Sequence, residues 1–196
     1  MKETFLIIST LFALSTPFIG VRAILKGQYK PHRTTRLVFV IVTALMTLTL
    51  YFQGDRTAVY LAFVSFLLCT TIFILSFKYG VGGRSKTDFI VLFLAVLAIV
   101  LWQVSDNPTV GLYMSILADF IGFLPTIVKA YRMPHTEDWK FYASDVVAGF
   151  FSLLALNAYL FKDVIFASYI LAINLLLMLI VILRTRVFQA KNLSSQ

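Results

Sequence analysis

Few side chains in this sequence could do chemistry, and the informative ones stand inside apolar runs. Of nine acids, only Asp119 and Asp145 lie within such runs. Asp119 is about ten residues into the run 109–130, near its middle. A carboxyl group at that depth in a bilayer is costly and by default marks function. Two roles are open to it: proton transfer or hydrogen bonding to a polar substrate, or a protonated acid bonded to a neighbouring helix. Asp145 lies about 9 Å inside the end of the run 140–161, at 1.5 Å per residue. Arg22 sits at similar depth in the run 4–25. An ion pair between them would close the inner face, and snorkelling of Arg22 is the simpler alternative. Asn174 stands in the middle of the run 164–183, with Thr71 as its counterpart 103 residues earlier. An amide and a hydroxyl there either line a polar cavity or join helices. Pro17 and Pro125 each remove a backbone donor and bend a helix, so both are hinge candidates.

Other signals carry less. Gly80-Val81-Gly82-Gly83-Arg84-Ser85-Lys86-Thr87 nearly spells a phosphate-binding loop, but serine replaces the second required glycine and no strand precedes it. It reads as a flexible basic loop. His32 and His135 each follow a proline and read as residues of membrane-face loops. Cys69 is the single cysteine, inside an apolar run, and reads as packing. No Ser/His/Asp or paired-acid arrangement is present, so the expectation is a protein that is not an enzyme, with no cofactor and no metal. Residues 164–183 contain no lysine that could hold retinal.

The elements that must position these residues follow from composition. Of 196 residues, 60% are hydrophobic and 13% charged, with mean hydropathy +0.89. A soluble domain carries about 25% charge. One bilayer span needs about 20 apolar residues. The runs 4–25, 37–53, 57–79, 89–104, 109–130, 140–161 and 164–183 therefore predict seven transmembrane helices joined by short connections. Asn107 and Pro108 read as the cap and first turn of the fifth. The net charge of +8 lies between the runs. This predicts contact with the lipid bilayer rather than with nucleic acid. Lys2, Arg56 and Lys162 fall on one side, and thirteen Lys and Arg from Lys26 to Lys191 on the other. The positive-inside rule then places the C-terminus in the cytoplasm and the N-terminus outside. Residues 1–23 also resemble a cleavable signal ending at Val21-Arg22-Ala23; Glu3 and the repeat described next argue for retention.

Phe18-Ile19-Gly20 recurs as Phe120-Ile121-Gly122, and Lys26, Pro31 and His32 recur as Lys129, Pro134 and His135. Downstream, Phe63, Ser65 and Leu68 meet Phe166, Ser168 and Leu171 at a constant offset of 103. The copies begin four helices apart, an even number of crossings, so they are parallel. The expected organisation is a first three-helix repeat over 1–79, a linker helix with its loops over 80–108, a second repeat over 109–183 and a cytoplasmic tail over 184–196.

The run Phe123-Leu124-Pro125-Thr126-Ile127-Val128-Lys129-Ala130-Tyr131-Arg132, followed by Thr136-Glu137, resembles the signature helix end of the PQ-loop and SWEET superfamily. The layout of three, one and three helices with N-out and C-in topology is similar too. Thr126 stands where PQ-loop proteins carry glutamine, and the first repeat reads Val21-Arg22-Ala23-Ile24 with no proline at the corresponding place. The resemblance implies an all-α integral membrane transporter of a small polar solute (sugar, vitamin or amino acid) working by alternating access. It also implies a substrate site with polar residues from helices three and seven, onto which Asn174 carries over well; Thr71 departs from the usual asparagine. The expected site is thus Asp119, Asn174 and Thr71, with Tyr113 or Ser115 beside them. Pro125 and Pro17 are the hinges, and Asp145 with Arg22 the inner gate. The alternative is a receptor or interaction protein of the same fold, binding a partner on its basic cytoplasmic face. A homodimer through the small-residue face Ala118–Gly122 is compatible with the sequence and not required by it. The default location is the plasma or bacterial inner membrane.

Overall fold

The computed structural model describes residues 2–53, 56–105, 108–156 and 161–193, with backbone only at 49–50, 52–53, 56–59, 61, 108–109, 111–112, 161–163 and 188–193. Asn107, the expected cap of the fifth helix, lies outside them. Seven α-helices follow in order: α1 Lys2–Leu25, α2 Arg33–Gln53, α3 Arg56–Tyr79, α4 Lys86–Val104, α5 Pro108–Arg132, α6 Trp139–Ala155 and α7 Phe161–Leu193. A single 3-10 turn, Pro134–Thr136, separates α5 from α6. Helices are the expected outcome for apolar segments in lipid, because each satisfies its own backbone. Pro17 and Pro125 sit inside helices that continue through them.

Stretches of α1, α3, α4, α5 and α7 are long and apolar enough to cross a bilayer. The chain is a multi-pass membrane protein. α2 opens on Arg33-Thr34-Thr35-Arg36 and carries Thr43 and Thr47. α6 has 17 residues, among them Ser144 and Asp145. Packing explains how these two tolerate polar residues.

The helices sort into two compact units. The first contains Met1–Tyr29 and Ile127–Gln196; in it α1 packs on α6 and α6 on α7. The second is Lys30–Thr126; in it α2 packs on α3 and α4. The first part of α5 also packs on α2. Phe123 and Phe39 meet edge to face at 4.8 Å, and Thr126 donates to Thr35 Oγ1 at 2.9 Å. Gly122 lets the backbones approach, since a Cβ there would sit 2.8 Å from Val38 Cγ1. α6 and α2 are thus the middle helices of their units, covered by neighbours. A covered helix needs less apolar surface than one facing lipid.

These packing units do not coincide with the expected segments 1–79 and 109–183. α1 packs with α6 and α7, although it is contiguous in sequence with α2 and α3. The expected boundaries at 79 and 109 follow the order of the chain, and packing groups the helices differently.

The last helix is longer than its apolar run. The run ends at 183, yet α7 continues to Leu193, so the expected tail begins as helix. Arg184 anchors the extension: its Nε donates to the Tyr131 carbonyl at 3.1 Å, and its guanidinium lies 4.1 Å from the centre of the Tyr131 ring. A carbonyl of the last turn of α5 is satisfied in this way.

Candidate functional site

In the first unit the α1–α6 seam is lined with hydroxyls. Ser9 donates to the Ala148 carbonyl at 2.8 Å. Ser15 and Ser144 hydroxyl oxygens are 3.0 Å apart, and both reach the Phe12 carbonyl. Thr16 donates to Asp145 Oδ1 at 2.7 Å. Ser9 and Thr16 are two turns apart and share a face of α1, as Ser144 and Ala148 share a face of α6. The hydroxyls give Asp145 a neutral donor inside the apolar layer. The expected Asp145–Arg22 gate does not form. Arg22 is exposed and makes no ion pair among the described residues. The short Thr16 side chain reaches the carboxyl group, while the long Arg22 chain extends outward as snorkelling predicts.

Asn174 lies in α7 of the same unit and is 3% exposed. Its Nδ2 donates to the Ile170 carbonyl at 3.0 Å, one turn back. Its Oδ1 is buried and has no hydrogen-bond partner among the described residues. A buried amide oxygen left unpaired is expensive and asks for an explanation.

A third cluster ties together the ends of α1, α5 and α6. Lys129 Nζ and Glu137 Oε1 are 2.7 Å apart, and both side chains are almost fully buried. Tyr142 donates to Glu137 Oε2 at 2.7 Å. The Tyr29 ring stacks on Phe141 at 5.4 Å, with Lys129 Nζ 5.3 Å from its centre. Each charge therefore has an opposite partner, and the aromatic rings exclude water from the pair. Sequence alone did not predict this pair, because Lys129 and Glu137 stood in it as motif residues and Lys129 as a topology-setting charge, not as partners.

In the second unit Asp119 is half-buried in α5, with Ser115 half-buried one turn earlier. Thr71 is exposed on α3, and its hydroxyl donates to the Leu67 carbonyl at 2.9 Å. Its neighbour Thr70 has the buried hydroxyl, with no partner among the described residues. Thr126, at the motif position, is 1% exposed and holds α5 to α2 through Thr35.

The glycine-rich loop between α3 and α4 does bind an anion at its amides, and the anion is its own. Asp88 Oδ2 accepts from Gly83 N and Ser85 N at 3.0 Å and from Ser85 Oγ at 2.7 Å. Ser85 returns the contact by accepting from Asp88 N, which closes a capping box on α4. Thr34 donates to Asp88 Oδ1 at 2.7 Å, and His32 Nε2 lies 3.6 Å from it. His32 is thereby a buried structural residue, whereas His135 is exposed. Gly82 has φ +72, and a Cβ there would collide with the His32 ring.

Arg33, which the sequence reading also passed over, clamps the same corner. Its Nε donates to the Ser76 carbonyl at 3.0 Å, Nη1 to Gly82 at 2.9 Å, and Nη2 to Gly80 at 3.0 Å and Phe77 at 3.3 Å. A guanidinium at the C-terminus of α3 satisfies its last carbonyls and opposes the negative end of the helix dipole. Among the described residues no group of three His, Cys, Asp or Glu is placed to hold a metal ion. Comparison of the chain with models of known families, with curated proteins and with solved structures finds no match.

Proposed function

We propose that the chain is a transporter of a small polar solute that works by alternating access. In this reading two parallel three-helix repeats flank α4, with the N-terminus outside and the C-terminus in the cytoplasm. The observation that carries it is the Asn174 amide. Its oxygen is buried in a long apolar helix with no partner among the described residues, where an unpaired polar group costs most. A site that receives a polar ligand explains such a group; a packing role leaves it unexplained. The internal organisation of the units supports the repeat. Exchanging α1 with α5, α2 with α6 and α3 with α7 turns the packing of one unit (α1 on α6, α6 on α7) into that of the other (α5 on α2, α2 on α3). Asp119, half-buried near the middle of α5, is the second substrate-facing candidate, and Pro125 and Pro17 are the hinge candidates.

The test is thermal stabilisation of the purified protein by a panel of sugars, vitamins, amino acids and polyamines, with Asn174→Leu and Asp119→Asn alongside. A ligand that binds only the folded state raises the melting temperature. A compound that stabilises the parent and not Asn174→Leu supports the reading and names the substrate class. A hit unaffected by either substitution removes both residues from the site. A folded sample that answers no compound favours the receptor or interaction-protein reading.

A further inference from the structure

In the second unit a cavity of about 270 Å³ opens where α3 ends and α4 begins. One wall is apolar, made by Phe73 and Phe77 of α3 with Phe89 and Leu92 of α4. Phe77 and Phe89 are 63% and 64% exposed, as side chains that meet acyl chains would be. The other wall carries Arg33 and Arg84, and these two differ. Arg33 is committed to four backbone carbonyls. Arg84 is exposed and engages no group among the described residues. Asp88 also lines the cavity, but its carboxylate is already surrounded by Thr34, Ser85 and the Gly83 amide, with His32 at 3.6 Å. Lys86, next along the loop, is exposed as well. Cationic charge therefore crowns an apolar flank at the level where two apolar spans end, at Tyr79 and Lys86. That level in a bilayer is the headgroup layer.

We propose that this cavity holds one anionic phospholipid, with an acyl chain against Phe77, Phe89 and Leu92 and its phosphate on Arg84. Charge complementarity selects the occupant. A phosphatidylglycerol headgroup brings one negative charge to an uncompensated guanidinium, whereas phosphatidylcholine brings its own ammonium and gains less. Basic pockets between helices near a membrane surface suit such headgroups. Arg33, held rigidly on α3, adds its field without moving. The inference rests on the membrane reading and is independent of transport; only the choice of leaflet depends on the proposed orientation.

The test is lipid retention by the full chain, released from mixed micelles of phosphatidylglycerol and phosphatidylcholine and weighed by native mass spectrometry. The protein should keep phosphatidylglycerol preferentially. Arg84→Gln should reduce that preference about fivefold, the worth of one basic group at an anionic surface. Lys140→Gln, an exposed change in the other unit, should leave it as in the parent. Equal retention of both lipids overturns the proposal, as does a preference that survives in Arg84→Gln. Equal losses in both variants would mean diffuse attraction and overturn it too. Displacement of the bound lipid by millimolar inorganic phosphate would assign the site to a free anion instead.

Discussion

The α1–α6 seam of the first unit and the α5–α2 contact of the second are built from different chemistry. Aligning Phe18-Ile19-Gly20 with Phe120-Ile121-Gly122 sets Thr16 opposite Ala118, and the offset of 103 sets Asp145 opposite Val42. Thr16 and Asp145 are hydrogen-bonded. Ala118, fully buried, sits in an apolar cluster with Ala98 and Ile99 of α4, against which Ile41, Val42 and Leu45 pack. The difference follows from what else covers the middle helix. α4 lies on α2 and closes the second unit by side-chain fit. Inside a bilayer, apolar side chains gain little by leaving lipid, so helices associate through close fit or through hydrogen bonds. The second unit relies mostly on fit, with the Thr126–Thr35 hydrogen bond at one end of the contact, and the first unit relies on hydrogen bonds along its seam. The two contacts are thus held by different balances of fit and hydrogen bonding.

The corners of the units differ in the same way, and substitutions there should have the largest effects. The first unit is tied by the buried Lys129–Glu137 pair, the second by the loop wrapped on Asp88. Lys129→Met leaves Glu137 charged and buried with Tyr142 alone. It should cost about 3–5 kcal/mol, read as a large fall in melting temperature, with Lys129→Met/Glu137→Gln recovering most of it. A single variant as stable as the parent would mean that the pair holds nothing together. Gly82→Ala forces an alanine to φ +72 against the His32 ring, at about 1–3 kcal/mol for the backbone alone. The loss should resist rescue by salt, unlike one of electrostatic origin. Exchanging the chemistry of the seams comes next. Ala118→Thr adds bulk to a closed apolar contact and should cost about 1–3 kcal/mol; a neutral result would show that the second seam is looser than its burial implies. Thr16→Ala, which gives the polar seam the residue of its apolar counterpart, should cost least, about 0.6 and at most about 1.7 kcal/mol. Chemical denaturation in a fixed detergent would rank the four. If Thr16→Ala costs more than Ala118→Thr, the two seams do not differ as described.

The helices were legible in the sequence because lipid imposes one rule on every span. An apolar run of sufficient length must be helical, and Pro17 and Pro125 did not break that rule. The end of α7 was not legible, since hydropathy stops at Leu183 while the Arg184–Tyr131 contact does not. Nor was the packing of α1 on α6, because contiguity in sequence carries no record of which helix a face meets. The hydroxyls of the first seam left a trace: Ser9 and Thr16, seven residues apart, mark one face of α1. Arg33 left none, since an arginine between spans reads the same whether it clamps carbonyls or faces lipid phosphates. The loop at Gly80 shows the converse. Its resemblance to an anion cradle was chemically sound, but Asp88, only one residue beyond the motif, is the anion it takes. Of the expected site residues, Asn174 is buried with an open acceptor, Thr71 spends its hydroxyl on its own helix, and Asp145 takes Thr16 in place of Arg22.

Alternating access requires that one buried position meet water from each side of the membrane in turn. In a Cys69→Ser background, Asn174→Cys reconstituted in vesicles of known orientation can be challenged with a membrane-impermeant maleimide from either face. Transport by the route proposed here predicts that the thiol is labelled from both faces, more slowly when a stabilising solute is present. Labelling from one face only, or from neither in a folded protein, would contradict it.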